Sequence, residues 1–201
     1  PDCWMAAFLD KEPESRKEKA INIAKKFGFK LEPVNINRSS SVWDIGEDQR
    51  TLIQPLTSIK GLGDKAIEQI IEHRPFNSVE ELLFSKEIVY SKLNKKALDV
   101  LIKAEAVDEL IDDRFRNQKH FWLSVADNRP KTKKKLAENI EEHKDTEDFT
   151  RDEYIETKTN ITGMFPLTLV VSDDIVQRLN YYKVPTISEW DHDLGAVSYT
   201  H

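Results

Sequence analysis

Three observations predict a mainly α-helical fold with a small β element for this 201-residue chain. Apolar residues recur at helical spacing over residues 14–27 and again over much of 58–125. Short turns carrying Gly61, Gly63 or Pro75 separate the later helical patterns. Two short β-type runs flank residues 46–49.

Taken in order, ESRKEKAINIAKKF places Ala20, Ile21, Ala24 and Phe27 on one helical face, and Gly28 supplies a C-terminal stop. FKLEPVNINRSS, with Pro33 and a terminal serine run, predicts a strand-like excursion into a loop. SVWDIGEDQRTLIQPL predicts a small β-hairpin. SIKGLGDKAIEQIIEHR, FNSVEELLFS and NKKALDVLIKAEAVDEL are three helical patterns joined at 61–63, at Pro75 and at 90–94, and they predict one helical unit. DRFRNQKHFWLSVA extends that unit with a further amphipathic helix. NRPKTKKKLAENIEEHKDTEDFT loses its large apolar residues and reads as a linker or a solvated helix. The remainder, with EYIETKTNITG, the apolar FPLTLVV, the helical DDIVQRLNYYKV and the strand-like AVSYTH, predicts a mixed α/β C-terminal connector.

Composition narrows the functional classes. With 39% hydrophobic and 33% charged side chains, the chain can bury a core of one modest domain plus attachments. No apolar run approaches the roughly 20 residues of a membrane span, and PDCWMAAFLD lacks a basic leader with a small-residue cleavage pattern. A cytoplasmic setting without membrane partners is the default expectation. The lone cysteine, Cys3, has no internal disulfide partner and no metal-ligand spacing around it, and reads as a small buried hydrophobe beside Trp4. His73, His120, His143, His192 and His201 are scattered without ligand spacing, and Trp4, Trp43, Trp122 and Trp190 read as packing residues. The start at Pro1, running directly into WMAAFL, and the stop at AVSYTH suggest a piece of a larger protein. A formal charge of -6 argues against a generally basic coat for nucleic acid, but leaves local basic patches open.

The sharpest motif is GLG in SIKGLGDKAIEQII. GLGDKA loosely matches a dinucleotide-binding fingerprint, but the preceding PLTSIK sits at helical spacing and no strand-helix-strand alternation follows. A plain helix-helix turn would use glycine for its unusual backbone angles. A helix-hairpin-helix uses both glycines: they permit the tight turn, and their missing side chains let phosphate oxygens reach main-chain N–H groups at the start of the following helix. Lys60, Gly61, Leu62, Gly63, Asp64 and Lys65 are then the phosphate-binding candidates, while Ile59, Leu62, Ala66, Ile67, Ile70 and Ile71 hold the two helices together.

From WMAAFL through KKFGF, NIN, RTLIQPLTSIKGLGDKAIEQIIEHRPFNSVEELL and NKKALDVLIKAEAVDEL to about Leu123, the chain resembles C-family bacterial replicative DNA polymerases. The matching region is that of the DNA polymerase III alpha subunit after the palm and most of the fingers, and the tail would suit a phage-type version. The resemblance implies a tandem helix-hairpin-helix unit. Residues 1–50 would be the end of the fingers, 51–127 the tandem unit, 128–150 a charged linker and 151–201 a connector leading to an OB-type domain. It implies primer-template DNA and the remainder of the polymerase chain as partners. Its second hairpin falls on Ala104, Glu105, Ala106 and Val107, and Glu105 replaces the usual glycine. The metal-holding aspartates, and the magnesium expected on them, belong to the family's palm upstream of Pro1. This chain alone is therefore expected to have no cofactor and no polymerase activity. Asp112-Asp113 and Asp173-Asp174 read as turn or cap residues rather than substitutes.

Two further signals bear on partners. QKHFW at 118–122 superficially fits a sliding-clamp-binding peptide, yet it falls within a helix where Phe115, Trp122 and Val125 would serve the core. RPKTKKK concentrates Arg129, Lys131, Lys133, Lys134 and Lys135 as secondary candidates for contact with the DNA backbone. The alternative function is a protein-interaction module that docks a sliding clamp or another replisome subunit while DNA is held elsewhere.

Overall fold

The computed structural model describes residues 3–163 together with Arg178, Tyr181 and Tyr182. The chain divides into two units, Pro1–Phe165 and Pro166–His201, and every element below belongs to the first. The expectations for FPLTLVV, AVSYTH, Asp173-Asp174 and Trp190 lie outside the described residues, as does nearly all of DDIVQRLNYYKV.

The described chain is mainly helical with a small three-stranded sheet. Helix α1 (Cys3–Lys11) was not legible as a helix in the apolar WMAAFL run, and α2 (Glu14–Lys26) coincides with the periodic segment. The α2 helix stops because Gly28 takes φ +82°, so that its N–H reaches Lys25 O at 2.9 Å and the next N–H, of Phe29, reaches Ala24 O at 3.1 Å. This pair of bonds is the Schellman stop that a residue in the left-handed region permits.

The expected hairpin forms from β2 (Asp44–Ile45) and β3 (Thr51–Ile53), which pair antiparallel. A third strand, β1 (Lys30–Glu32), joins β3 in parallel, giving the order β1-β3-β2. This sheet and α1–α2 enclose Met5, Leu9, Ile21, Phe29, Trp43 and Leu52 in a satellite core.

The larger core belongs to α3 (Asp64–His73), α4 (Val79–Phe84), α5 (Lys95–Lys103) and α6 (Gln118–Trp122), with Leu56, Ile70, Leu82, Leu98, Leu101 and Phe121 at its centre. Ser78, Asn94 and Asn117 each cap the following helix by accepting from a first-turn N–H, which explains where α4, α5 and α6 begin. The NIN segment straps this unit. Ile36 is fully buried and donates its N–H to Ala106 O at 2.8 Å, while the Asn37 side-chain amide exchanges two 2.8 Å bonds with the main chain of Phe76.

After α6 the helix widens into a π turn over Leu123–Asp127. The charged stretch left open between linker and solvated helix contains α7 (Lys133–Glu142), capped by Thr132. One buried apolar residue and one buried amide attach it: Leu136 enters the main core, and Asn139 Nδ2 donates to Ser124 O at 3.0 Å and Asn128 O at 2.6 Å. His120 serves the same joint, with Nδ1 accepting from the Arg116 N–H at 3.1 Å and Nε2 donating to Ile140 O at 2.8 Å. Both ring nitrogens of this buried side chain are thus used within the joint. Helix α8 (Arg151–Thr162) starts at a Thr150/Glu153 capping box and ends at Gly163 in the left-handed region. No helix among the described residues is long and apolar enough to cross a membrane.

Replacing Asn139 by Ala would remove both side-chain hydrogen bonds that tie α7 to the carbonyls of Ser124 and Asn128. Urea denaturation is expected to show a loss of about 1–3 kcal/mol.

Candidate nucleic-acid interface

GLG is built by a 3-10 turn at Leu56–Ser58 running into α3. Ile59 N–H donates to Leu56 O at 3.1 Å, and Leu62 N–H to Ile59 O at 3.2 Å, which curls the chain tightly. Gly61 completes the reversal at φ +89°, a value that side chains bearing a Cβ adopt at a cost. Gly63 then takes the extended N-cap position of α3 at φ -79°, without any side-chain cap. Ile59, Leu62, Ala66, Ile67 and Ile70 are buried and Ile71 packs partly against them, so the expected apolar faces do hold the hairpin together.

What faces outward is a set of donors. Lys60, Gly61, Gly63, Asp64 and Lys65 are exposed. Among the described residues, the main-chain N–H groups of Gly61, Gly63, Asp64 and Lys65 have no acceptor, whereas Ala66 and Ile67 donate back to Gly63 O. Unpaired donors at a helix start, with the positive end of the helix dipole behind them, form a site for an anion. Two of the six sequence candidates contribute differently from the rest. The Leu62 N–H is already committed and its side chain is an apolar anchor. The Lys60 N–H donates at 2.8 Å to Ile161 O near the end of α8, leaving only its ammonium for a ligand. Asp64 adds a carboxylate to the first turn of α3, which favours the helix dipole and opposes a second anion.

The tertiary structure brings in a cation that sequence reasoning missed. Lys96, on the first helix of the second hairpin, places its Cε 3.7 Å from where a Cβ on Gly61 would lie, with Val100 Cγ1 at 3.4 Å. The available signal was the i, i+4 relation of Lys96 to Val100 on one face of α5, which says nothing about what that face meets.

The second hairpin is organised differently. At the end of α5, Glu105 takes φ +60°, with its N–H on Ile102 O at 2.9 Å and the Ala106 N–H on Leu101 O at 3.0 Å. This is again a Schellman stop, and Glu105 occupies the position where glycine is usual. Its carboxylate pairs with the Lys158 ammonium of α8. The turn therefore presents a neutralised carboxylate beneath α8. Beside it, Asp108 is exposed as a residue, yet lost hydration around its carboxyl pushes the pKa up to about 6, with the charge of Glu105 adding to the rise. Gln118 Nε2, donating at 2.7 Å, and Lys158 act in the opposite direction. Burial, followed by Glu105, Asp148 and Asp108, raises the Tyr154 phenol above its ordinary value.

The secondary basic candidates do not act as one group. Arg129 points inward: Nη1 donates to the carbonyls of Tyr90 and Leu93, and the guanidinium stacks 3.8 Å from the Tyr90 ring centre. Burial lowers its pKa. Lys131, Lys133, Lys134 and Lys135 are exposed, with Lys135 near Glu138 at 3.6 Å. In the clamp-like QKHFW, His120 and Phe121 are buried, and Phe121 packs edge-on against Phe115 at 4.7 Å. Trp122 donates Nε1–H to Asp99 at 2.7 Å. Asp112 is bound to Arg114, which also grips Glu80. No group of three or more His, Cys, Asp or Glu among the described residues is placed to hold a metal ion.

Two glycines at a tight reversal, apolar helix faces behind them and open N–H groups in front define a helix-hairpin-helix. Residues 28–118 match the family described as the helix-hairpin-helix motif. Over 116 residues the chain is 34% identical to the DNA polymerase III subunit alpha of Campylobacter jejuni, covering 54% of this chain and 10% of that protein. It is 33% identical over 114 residues to the subunit of Deinococcus radiodurans (54% and 8%), and 32% identical over 116 residues to that of Thermus aquaticus (54% and 9%). The region thus belongs to the helix-hairpin-helix family in the form carried by DNA polymerase III alpha subunits. The matched segment spans about a tenth of the length of those relatives.

The geometry separates the roles of the two glycines. Gly61→Ala forces a Cβ into left-handed backbone and is expected to cost about 1–2 kcal/mol in chemical denaturation. Gly63 has ordinary angles and nothing within 4 Å of an added Cβ. For Gly63→Ala, lost N-cap preference and reduced unfolded-state entropy offset each other, and stability should stay within about 0.5 kcal/mol.

The raised pKa of Asp108 has a definite sign. Below the unfolded value of 3.8 both states are protonated and the site is neutral to stability. Between there and about 6 the unfolded chain ionises first, so folding loses stability as pH rises, and the loss is complete above that window. Asp108→Asn should therefore raise the melting temperature near about pH 8 and change it little near about pH 4, as read by circular dichroism.

Proposed function

We propose that this chain is the part of a replicative DNA polymerase that holds primer-template duplex, gripping backbone phosphates without reading sequence. The observation that carries this reading is the row of exposed, unpaired N–H groups at Gly61, Gly63, Asp64 and Lys65 in front of an uncapped α3. Main-chain donors and lysine ammonium groups recognise phosphate oxygens and carry no base information. The openness around Gly63 supports close approach, since its backbone angles alone do not require glycine. Lys60, Lys65 and the exposed Lys131, Lys133 and Lys134 would add charge, while Leu62 and Arg129 act through packing.

On this reading the remainder of the polymerase chain is a partner and the setting is cytoplasmic. Nucleotidyl transfer, with divalent metal on palm carboxylates, belongs to the full-length polymerase. The alternative is a protein-interaction module that docks a sliding clamp or another replisome subunit while DNA is held elsewhere; QKHFW lends it no support, because His120 and Phe121 are inside the core. The boundaries at residues 50, 127 and 150 remain part of this proposal.

The test is fluorescence anisotropy of a labelled primer-template duplex titrated with the chain. Two or three phosphate contacts predict a roughly 10- to 50-fold loss of affinity between about 50 and 200 mM salt, with equal affinity for unrelated sequences. Gly63→Asp should abolish binding while preserving the fold, because aspartate is a favoured N-cap whose carboxylate would take the N–H groups offered to phosphate. A folded chain that ignores duplex at low salt would overturn the reading.

A further inference from the structure

We propose that Lys96 is a phosphate-contacting residue of the first hairpin, supplied across the interface by the first helix of the second. The inference rests on the duplex-binding reading and adds a residue to that site.

The placement comes from packing. Val100 is buried and lies against Gly61, which orients α5 so that Lys96, one turn earlier, passes over the same glycine. Lys96 Cε lies 3.7 Å from the position of an added Gly61 Cβ, so with a C–N bond of about 1.5 Å the ammonium lies no more than about 5 Å from that point. A phosphate on the N–H groups of Gly61 and Gly63 would come within reach of this flexible head. The absence of a side chain on Gly61 leaves the aliphatic stem of Lys96 as its neighbour.

Charge bookkeeping singles out the same residue. Lys95 is paired with Asp127 at 3.0 Å, and Lys103 with Asp99 at 2.8 Å. Lys96 has no ion pair among the described residues, and the first turn of α5 carries no acidic side chain. It is an exposed ammonium on a rigid helix, held beside an anion site by its own stem. The second hairpin, whose own turn is closed by the Glu105–Lys158 pair, would thus serve DNA through its first helix rather than through its turn.

The experiment compares Lys96→Met, Lys96→Arg, Lys95→Met and Gly63→Asp in the 201-residue chain with labelled duplex at a series of salt concentrations. Methionine keeps the stem over Gly61 and removes only the charge. Lys96→Met should weaken binding roughly three- to ten-fold near about 100 mM salt and reduce the slope of log affinity against log salt by about 0.9, one phosphate contact. Lys96→Arg should restore the slope, Lys95→Met should leave it unchanged, and all three should melt like the parent. A parent slope retained in Lys96→Met, with Gly63→Asp still abolishing binding, would overturn the role of Lys96 and leave the duplex-binding reading standing. Failure of the parent chain to bind would overturn both.

Discussion

The helical unit depends on a backbone constraint: the chain must reverse through the left-handed region at Gly61 and again at Glu105. Each reversal sets the direction from which a helix enters or leaves the core, to which the apolar faces of α3 and α5 both contribute. At Gly61 the residue has no Cβ to strain. At Glu105 a side chain is forced into the same region, and the surrounding contacts hold it there, with the Ala106 carbonyl tied to the Ile36 N–H and the carboxylate tied to Lys158.

This difference also separates the surfaces that the two hairpins present. The first keeps the N–H groups of Gly61, Gly63, Asp64 and Lys65 open because no side chain caps α3, while the Lys60 N–H, one residue earlier, is absorbed by Ile161 O. The second spends its turn on an internal contact, using a carboxylate to recruit a lysine of α8. A carboxylate in that position repels phosphate, while an ion pair there fastens the last described helix to the body. The same α8 thus touches both hairpins, at Lys158 and at Ile161, although its inward face is only weakly apolar.

Net charge is a poor guide to this surface. The chain carries -6 overall, yet several of its acids are already engaged with their own partners: Asp99 with Lys103, Asp127 with Lys95, Glu80 and Asp112 with Arg114, Glu105 with Lys158. Among the described residues, Lys60, Lys65 and Lys96 beside GLG form no such pair, and the local field there is set by these ammonium groups, a helix end and the Asp64 carboxylate rather than by the total. Arg129 shows the converse, since a basic residue in a basic run serves as an internal staple through two carbonyls and an aromatic ring.

Local periodicity and turn chemistry determined much of the architecture by themselves. The α2 helix and its glycine stop, the helices of the unit, the β2–β3 hairpin and the first phosphate-site candidate are written in short windows, where spacing and glycine act directly on the backbone. WMAAFL did not declare α1, because a short apolar run has no contrast between faces, and β1 needed its partner β3 to become a strand. The fate of each cation was decided only in three dimensions. Whether Arg129 points out or in, whether Lys95 or Lys96 is free, and whether Glu105 meets solvent or Lys158 depend on residues from 32 to 53 positions away, brought together by the burial of apolar faces. A side chain's chemical type is local, but its partner is a property of the packing.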